Sequence, residues 1–166
     1  MQLYIVRHGI AIDREDPKSP PDPDRYLTEE GIERTTRVAK GIVALGATAD
    51  LLMSSPYVRA MQTAEIFASA LEYPKQKIRR TDLLLPGSEA MLFYRELAKD
   101  KHSSTIFCFG HAPQLDELIA AGLGSKHPVT ALKKAGVALL ELKRISPPNG
   151  QLVWLSTPKL LRKAGK

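Results

Sequence analysis

The sequence predicts an α/β protein, a three-layer αβα sandwich around a mostly parallel central sheet. Short apolar runs that do not alternate with polar residues suit strands covered on both faces. They are separated by segments with helical spacing of apolar residues, in the order βαβα, βαβα and a final hairpin. The length, 166 residues with 43% hydrophobic residues, suits one domain spanning 1–166 with a substantial core.

Residues 2–6 form the first apolar run, and Arg7-His8-Gly9 follows at its C-terminal end. The segment 13–25 is polar and carries Pro17, Pro20, Pro21 and Pro23, which bars a helix or inner strand. It reads as a loop with the composition of a flexible flap. Thr28 is an N-cap, with Glu29 and Glu30 at the positive end of the helix dipole. Ile32, Ala39, Ile42 and Val43 continue that helix, and Gly46 stops it. A second strand, 51–53, runs into Ser54-Ser55-Pro56, read as the start of a helix carrying Val58, Met61, Ala64, Ile66 and Ala68. A third strand is expected within 77–85. After the Pro86-Gly87 turn, Ser88 caps a helix containing Met91, Tyr94 and Leu97. Residues 105–109 form another buried-type strand, followed by Gly110-His111 and a helix with Leu115, Leu118 and Ile119, stopped by Gly122. The segments 137–142 and 151–155 pair as a hairpin through Pro147-Pro148-Asn149-Gly150.

Composition excludes several classes. One cysteine, Cys108, sits in an apolar run; it allows no internal disulfide framework, reads as a buried thiol and suits a reducing cytoplasm. No charge-free apolar stretch is long enough to span a bilayer, and the N-terminus lacks a signal-peptide pattern, so neither membrane nor export is expected. The net charge of +6 is spread along the chain and its C-terminal tail without interleaved aromatics, so a solvated face is expected rather than nucleic-acid binding. There is no GxGxxG or Walker-type glycine loop, so no nucleotide cofactor is implied.

In open α/β sheets, ligands bind beyond the C-terminal ends of the strands. Three such ends carry chemistry here: Arg7-His8-Gly9, Ser54-Ser55-Pro56-Tyr57-Val58-Arg59 and Gly110-His111. Two arginines and two histidines at one edge suit an anion, phosphate above all, because the guanidinium fork matches its oxygens. Arg59 lies in the first turn of its helix, where free N–H groups also favour an anion. His102 and His127 lie in polar loops and read as surface residues. Two strand-end histidines with no nearby acid make a poor zinc set, so no metal is expected.

These residues resemble the histidine phosphatase (phosphoglycerate mutase-like) superfamily. The resemblance is carried by Arg7-His8-Gly9, Leu27-Thr28-x-x-Gly31, Ser54-Ser55-Pro56-x-x-Arg59-Ala60-x-Gln62-Thr63-Ala64 and Gly110-His111. The small size and the stretch Trp154-x-x-Ser156-x-Pro158 look most like SixA-type phosphohistidine phosphatases. The resemblance implies that His8 is a nucleophile forming a covalent phosphohistidine. Arg7, Arg59 and His111 would hold the phosphoryl oxygens with no cofactor. Ser54, Ser55 and Thr63 either support the pocket or serve capping and packing; Thr28 and Gly31 are read as structural.

Many relatives carry a glutamate acid in a Leu-x-Glu motif where this chain has Leu84-Leu85-Pro86, and Ile10 stands where SixA-type sequences often have an acid. Glu89 is the remaining candidate acid. The short segment between Pro86 and Thr105 implies an open, shallow site. The substrate implied is phosphohistidine on a protein such as a phosphotransfer domain, with small phosphoesters or nucleotides, or phosphate binding without turnover, as alternatives.

Overall fold

The structure, a computed structural model, describes residues 1–165. Its strands are β1 (Gln2–Arg7), β2 (Leu51–Ser54), β3 (Arg79–Arg80), β4 (Thr105–Gly110), β5 (Val137–Arg144) and β6 (Asn149–Ser156). Its helices are α1 (Glu29–Ala44), α2 (Val58–Ala70), α3 (Ala90–Leu97), α4 (Gln114–Gly122) and α5 (Pro158–Ala164). The sheet order is β3-β2-β4-β1-β5-β6. β1 through β4 run parallel, and the β5–β6 hairpin is added antiparallel to β1.

Side chains on successive strand residues point to opposite faces, and β1 shows the consequence. Leu3 and Ile5 join Phe93, Tyr94, Leu115 and Leu118 under α3 and α4. Tyr4 and Val6 join Val38, Ile42, Phe67 and Leu161 under α1, α2 and α5. Each strand residue therefore feeds one of two cores, which is why the apolar runs do not alternate. Cys108 is fully buried within the first of these cores.

Local signals worked where they were strong. Thr28 caps α1, its Oγ1 accepting from the Gly31 N–H at 3.0 Å. Gly46 ends α1 with φ +84°, a left-handed conformation that suits glycine.

Several expectations need correction. The third strand is only two residues long, and a 3-10 turn at Asp82–Leu84 replaces the rest. α2 starts at Val58, past Pro56, and Ser55 accepts from the Tyr57 N–H instead of capping a Pro-led helix. Ser88 does not cap α3: the N-cap position is Glu89, and the Ser88 hydroxyl proton is shared between the Asp82 and Leu85 carbonyls. α4 ends at Gly122 as expected, and the left-handed conformation follows at Gly124; a Cβ on Gly122 would collide with the Tyr94 hydroxyl and Leu140. The hairpin turn is shifted, since Asn149 and Gly150 already pair with β5. The basic C-terminal stretch is not simply a tail: Pro158 opens α5, which buries Leu161 against the α1 face. Among the described residues no helix is long and apolar enough to cross a membrane.

Candidate active site

Strand register assembles the site. Arg7 pairs with Gly110 across β1 and β4, and Ser54 pairs with Phe109 across β2 and β4. The next residues, His8, His111 and Ser55, therefore emerge together at one sheet edge. The His8 and His111 rings lie 5.2 Å apart between centroids. Arg59 joins them from the first turn of α2, its guanidinium 5.0 Å above the Tyr57 ring. The four residues predicted from sequence line one cavity of about 360 Å³.

Each side chain is fixed by a specific partner. Arg7 Nη1 donates to the Leu132 carbonyl at 2.8 Å. That loop is held by Asp116, which accepts from Thr130 Oγ1 and the Leu132 N–H. The Gly9 N–H donates to Thr63 Oγ1, which donates in turn to the Arg59 carbonyl, so Thr63 ties the end of β1 to α2. Gln62 accepts from the Leu27 N–H. A Cβ on Gly9 would collide with the Thr35 hydroxyl, so the glycine lets α1 approach beside His8.

The two imidazoles are set in opposite senses. His8 Nδ1 lies 2.7 Å from the Gly9 carbonyl. A carbonyl only accepts, so Nδ1 carries the proton and Nε2 keeps its lone pair. Burial, reinforced by Arg59, Arg7 and Lys134, pushes the His8 pKa down to about 3, against the Gly9 hydrogen bond that raises it. His8 is therefore neutral at physiological pH, as a nucleophile must be.

His111 Nε2 lies 2.9 Å from Ser55 Oγ, whose oxygen also accepts from the Tyr57 N–H. If Ser55 donates to Nε2, only the His111 Nδ1–H lacks a partner. The reverse arrangement strands both the Ser55 proton and Nδ1. The first tautomer is favoured, and it makes His111 a donor. Burial also pushes the His111 pKa down to about 3, followed by the charges of His8 and Arg59.

Buried atoms without a hydrogen-bond partner include Arg7 Nε, Arg59 Nε and His111 Nδ1, all on residues around the cavity. Leaving a buried donor unsatisfied costs roughly 1–3 kcal/mol. Three such donors on residues that line one cavity suit a bound oxyanion with several acceptor oxygens.

The loop at 13–25 changes the expected shape. It is pinned across the site: Arg59 Nη1 donates to the Asp22 carbonyl at 2.6 Å, and Arg59 Nη2 meets the Asp22 carboxylate at 3.3 Å. Arg25 and Arg14 meet the same carboxylate at 2.9 and 3.0 Å. Consequently His8, Arg59 and His111 are 7%, 3% and 3% exposed, and the site is narrower than the short segment before β4 implied. Glu89 is not brought to the cavity. The Pro86-Gly87 turn, with Gly87 at φ +81°, carries the chain away, and Glu89 stands exposed at the start of α3. The acids that do line the cavity are Asp13 and Glu15.

Asp22, Arg25, Lys134 and Asp116 escaped the sequence reading. Each lies in a loop or a helix's first turn, without a strand-end signal. Among the described residues no group of three His, Cys, Asp or Glu side chains could hold a metal ion.

Comparison with known proteins gives a consistent picture. The histidine phosphatase superfamily (branch 1) pattern matches residues 3–83. An uncharacterized protein of Picosynechococcus sp. is 36% identical over 97% of this chain and 99% of its own length. Serine/threonine-protein phosphatase Pgam5, mitochondrial, of Drosophila persimilis is 31% identical over 52% of this chain, a match spanning 28% of that protein. The structure of the protein histidine phosphatase SixA complexed with tungstate superposes with a TM-score of 0.85. Identity there is 25%, over 97% of this chain and 99% of that one.

Proposed function

The chain belongs to the histidine phosphatase superfamily, and on that premise we propose that it hydrolyses phosphohistidine on a protein, such as a phosphotransfer domain. The observation that carries this reading is the set of unpartnered buried donors on Arg7, Arg59 and His111 around a neutral His8. Tungstate, held by the SixA relative, is a tetrahedral oxyanion of the same kind as phosphate.

In the proposed reaction, His8 Nε2 attacks phosphorus and the bond from phosphorus to the substrate imidazole breaks. His8 becomes a phosphoimidazolium whose Nδ1–H stays on the Gly9 carbonyl. Arg7, Arg59 and His111 hold the oxygens on which charge is spread in the transition state. Water then attacks phosphorus, its two protons stay with the released phosphate, and His8 leaves as the neutral ring it began as. No metal is needed in this scheme.

Asp22, the carboxylate that Arg59 holds, does not serve as the acid an ester would need, which leaves Asp13 and Glu15 as the acids of the cavity. Burial works against the Asp22 carboxylate, but the Arg25 hydrogen bond and the charges of Arg59 and Arg14 outweigh it and hold its pKa below the usual range. Asp22 therefore stays ionised and donates no proton. A substrate imidazole can leave already protonated on its own ring, whereas an alkoxide needs an acid.

The test is phosphate release from a phosphohistidine-bearing phosphotransfer domain and from a panel of small phosphoesters, all in EDTA. Faster release from the domain, unaffected by chelator, is expected. Faster release from the esters would replace this reading with that of a small-ester phosphatase.

Ser55→Ala isolates the tautomer argument. It should lower kcat/KM about tenfold, the scale of one hydrogen bond left unmade in a buried site. The imidazole ¹⁵N shifts of His111 should also report a mixture of tautomers. An unchanged His111 spectrum would remove Ser55 from this role.

A further inference from the structure

A second cavity, of about 470 Å³, lies on the other side of Arg7. It is bounded by Arg7, Arg34, Lys133, Lys134 and Arg162, together with Thr35 and the apolar Ile10, Ala135 and Pro158, and no carboxylate lines it. Arg34 is engaged by Glu30 on the same helix. Among the described residues the other four cations have no carboxylate partner within salt-bridge distance. Like charges gathered around a concave surface raise the local potential and draw anions. Thr35 also lines this cavity, but its buried hydroxyl packs against Gly9 and is not offered to a ligand.

We infer that this cavity is a second oxyanion site, holding a phosphate-class group while the catalytic cavity holds another. Arg7 and Lys134 line both cavities, so the two anions would share a cationic wall. The anion is either free phosphate or a second acidic group carried by the substrate.

Titration calorimetry of the full chain with inorganic phosphate tests the site. Two phosphates per chain are expected. Arg59→Ala should remove one of them. Lys133→Glu with Arg162→Glu should weaken the other at least about tenfold, since charge-assisted hydrogen bonds are the strong ones. A single phosphate lost with Arg59→Ala would overturn the inference. So would a second phosphate indifferent to the Lys133→Glu, Arg162→Glu variant. Loss of only the Arg59-dependent phosphate from the wild type would instead count against the catalytic reading and leave this site standing.

The source of the anion is read with the His8→Ala protein, an arm that rests on the proposed substrate. Displacement of the second phosphate by a phosphohistidine-bearing domain would assign the site to the substrate. Retention of that phosphate would assign it to free phosphate.

Discussion

His8→Ala is expected to bring phosphate release to background, a loss of roughly 10⁴-fold or more, as when a covalent nucleophile is removed. No phosphoenzyme should form on brief mixing with labelled substrate and acid quench. The variant should still fold, because the ring's only hydrogen bond is to the adjacent Gly9 carbonyl. The same reasoning fixes a pH dependence. The pKa of His8 is held at about 3 by burial, reinforced by Arg59, Arg7 and Lys134. A lowered pKa means that the neutral nucleophile persists as pH falls past the ordinary imidazole value. The His8-dependent part of kcat/KM should therefore show no acid limb near 6.5. An inflection there in free-enzyme kinetics, assigned to His8 by NMR titration, would falsify the picture of a desolvated neutral nucleophile.

Arg59→Ala should reduce kcat and kcat/KM together, by about 10²–10³-fold, the cost of removing one preorganised donor from a developing oxyanion. Arg59 also fastens the 13–25 loop through the Asp22 carbonyl and carboxylate. Asp22→Asn separates these roles. It removes the carboxylate charge but keeps the backbone carbonyl that Arg59 Nη1 uses, so it should change KM more than kcat. Arg59→Lys should restore little, because a point charge does not reproduce the guanidinium fork. Equal losses for Arg59→Ala and Asp22→Asn would mean that Arg59 acts by holding the loop rather than the phosphoryl group.

Much of this site was legible because its signals are local. An apolar run ending in Arg7-His8-Gly9 places those residues at a strand's C-terminal edge wherever the strand sits in the sheet. Gly110-His111 does the same for β4, and Arg59 is legible from its place just after the Ser-Pro segment. Thr28 and Gly46 mark the ends of α1 through capping geometry that a few neighbouring residues determine.

Other features depended on what came to lie beside them. Parallel β1 and β4 are neighbours although about a hundred residues separate them in the chain, and only that pairing brings His8 within 5.2 Å of His111. Asp22 reaches Arg59 because the proline-rich loop folds back across the sheet edge, which no residue pattern announces. Ser88 offered a cap, yet the N-cap position fell to Glu89, and the Pro86-Gly87 turn carried Glu89 away from the cavity. Thr35 reads as one more polar helix residue until α1 packs against Gly9 and buries it. The sequence alone determined the elements, the strand-end chemistry and the kind of anion chemistry they suit, since periodicity and capping act within a few residues. Tertiary structure decided which carboxylates reach the clamp, how far the site is covered and where unpartnered donors are left, since these depend on sheet order and loop closure between distant segments.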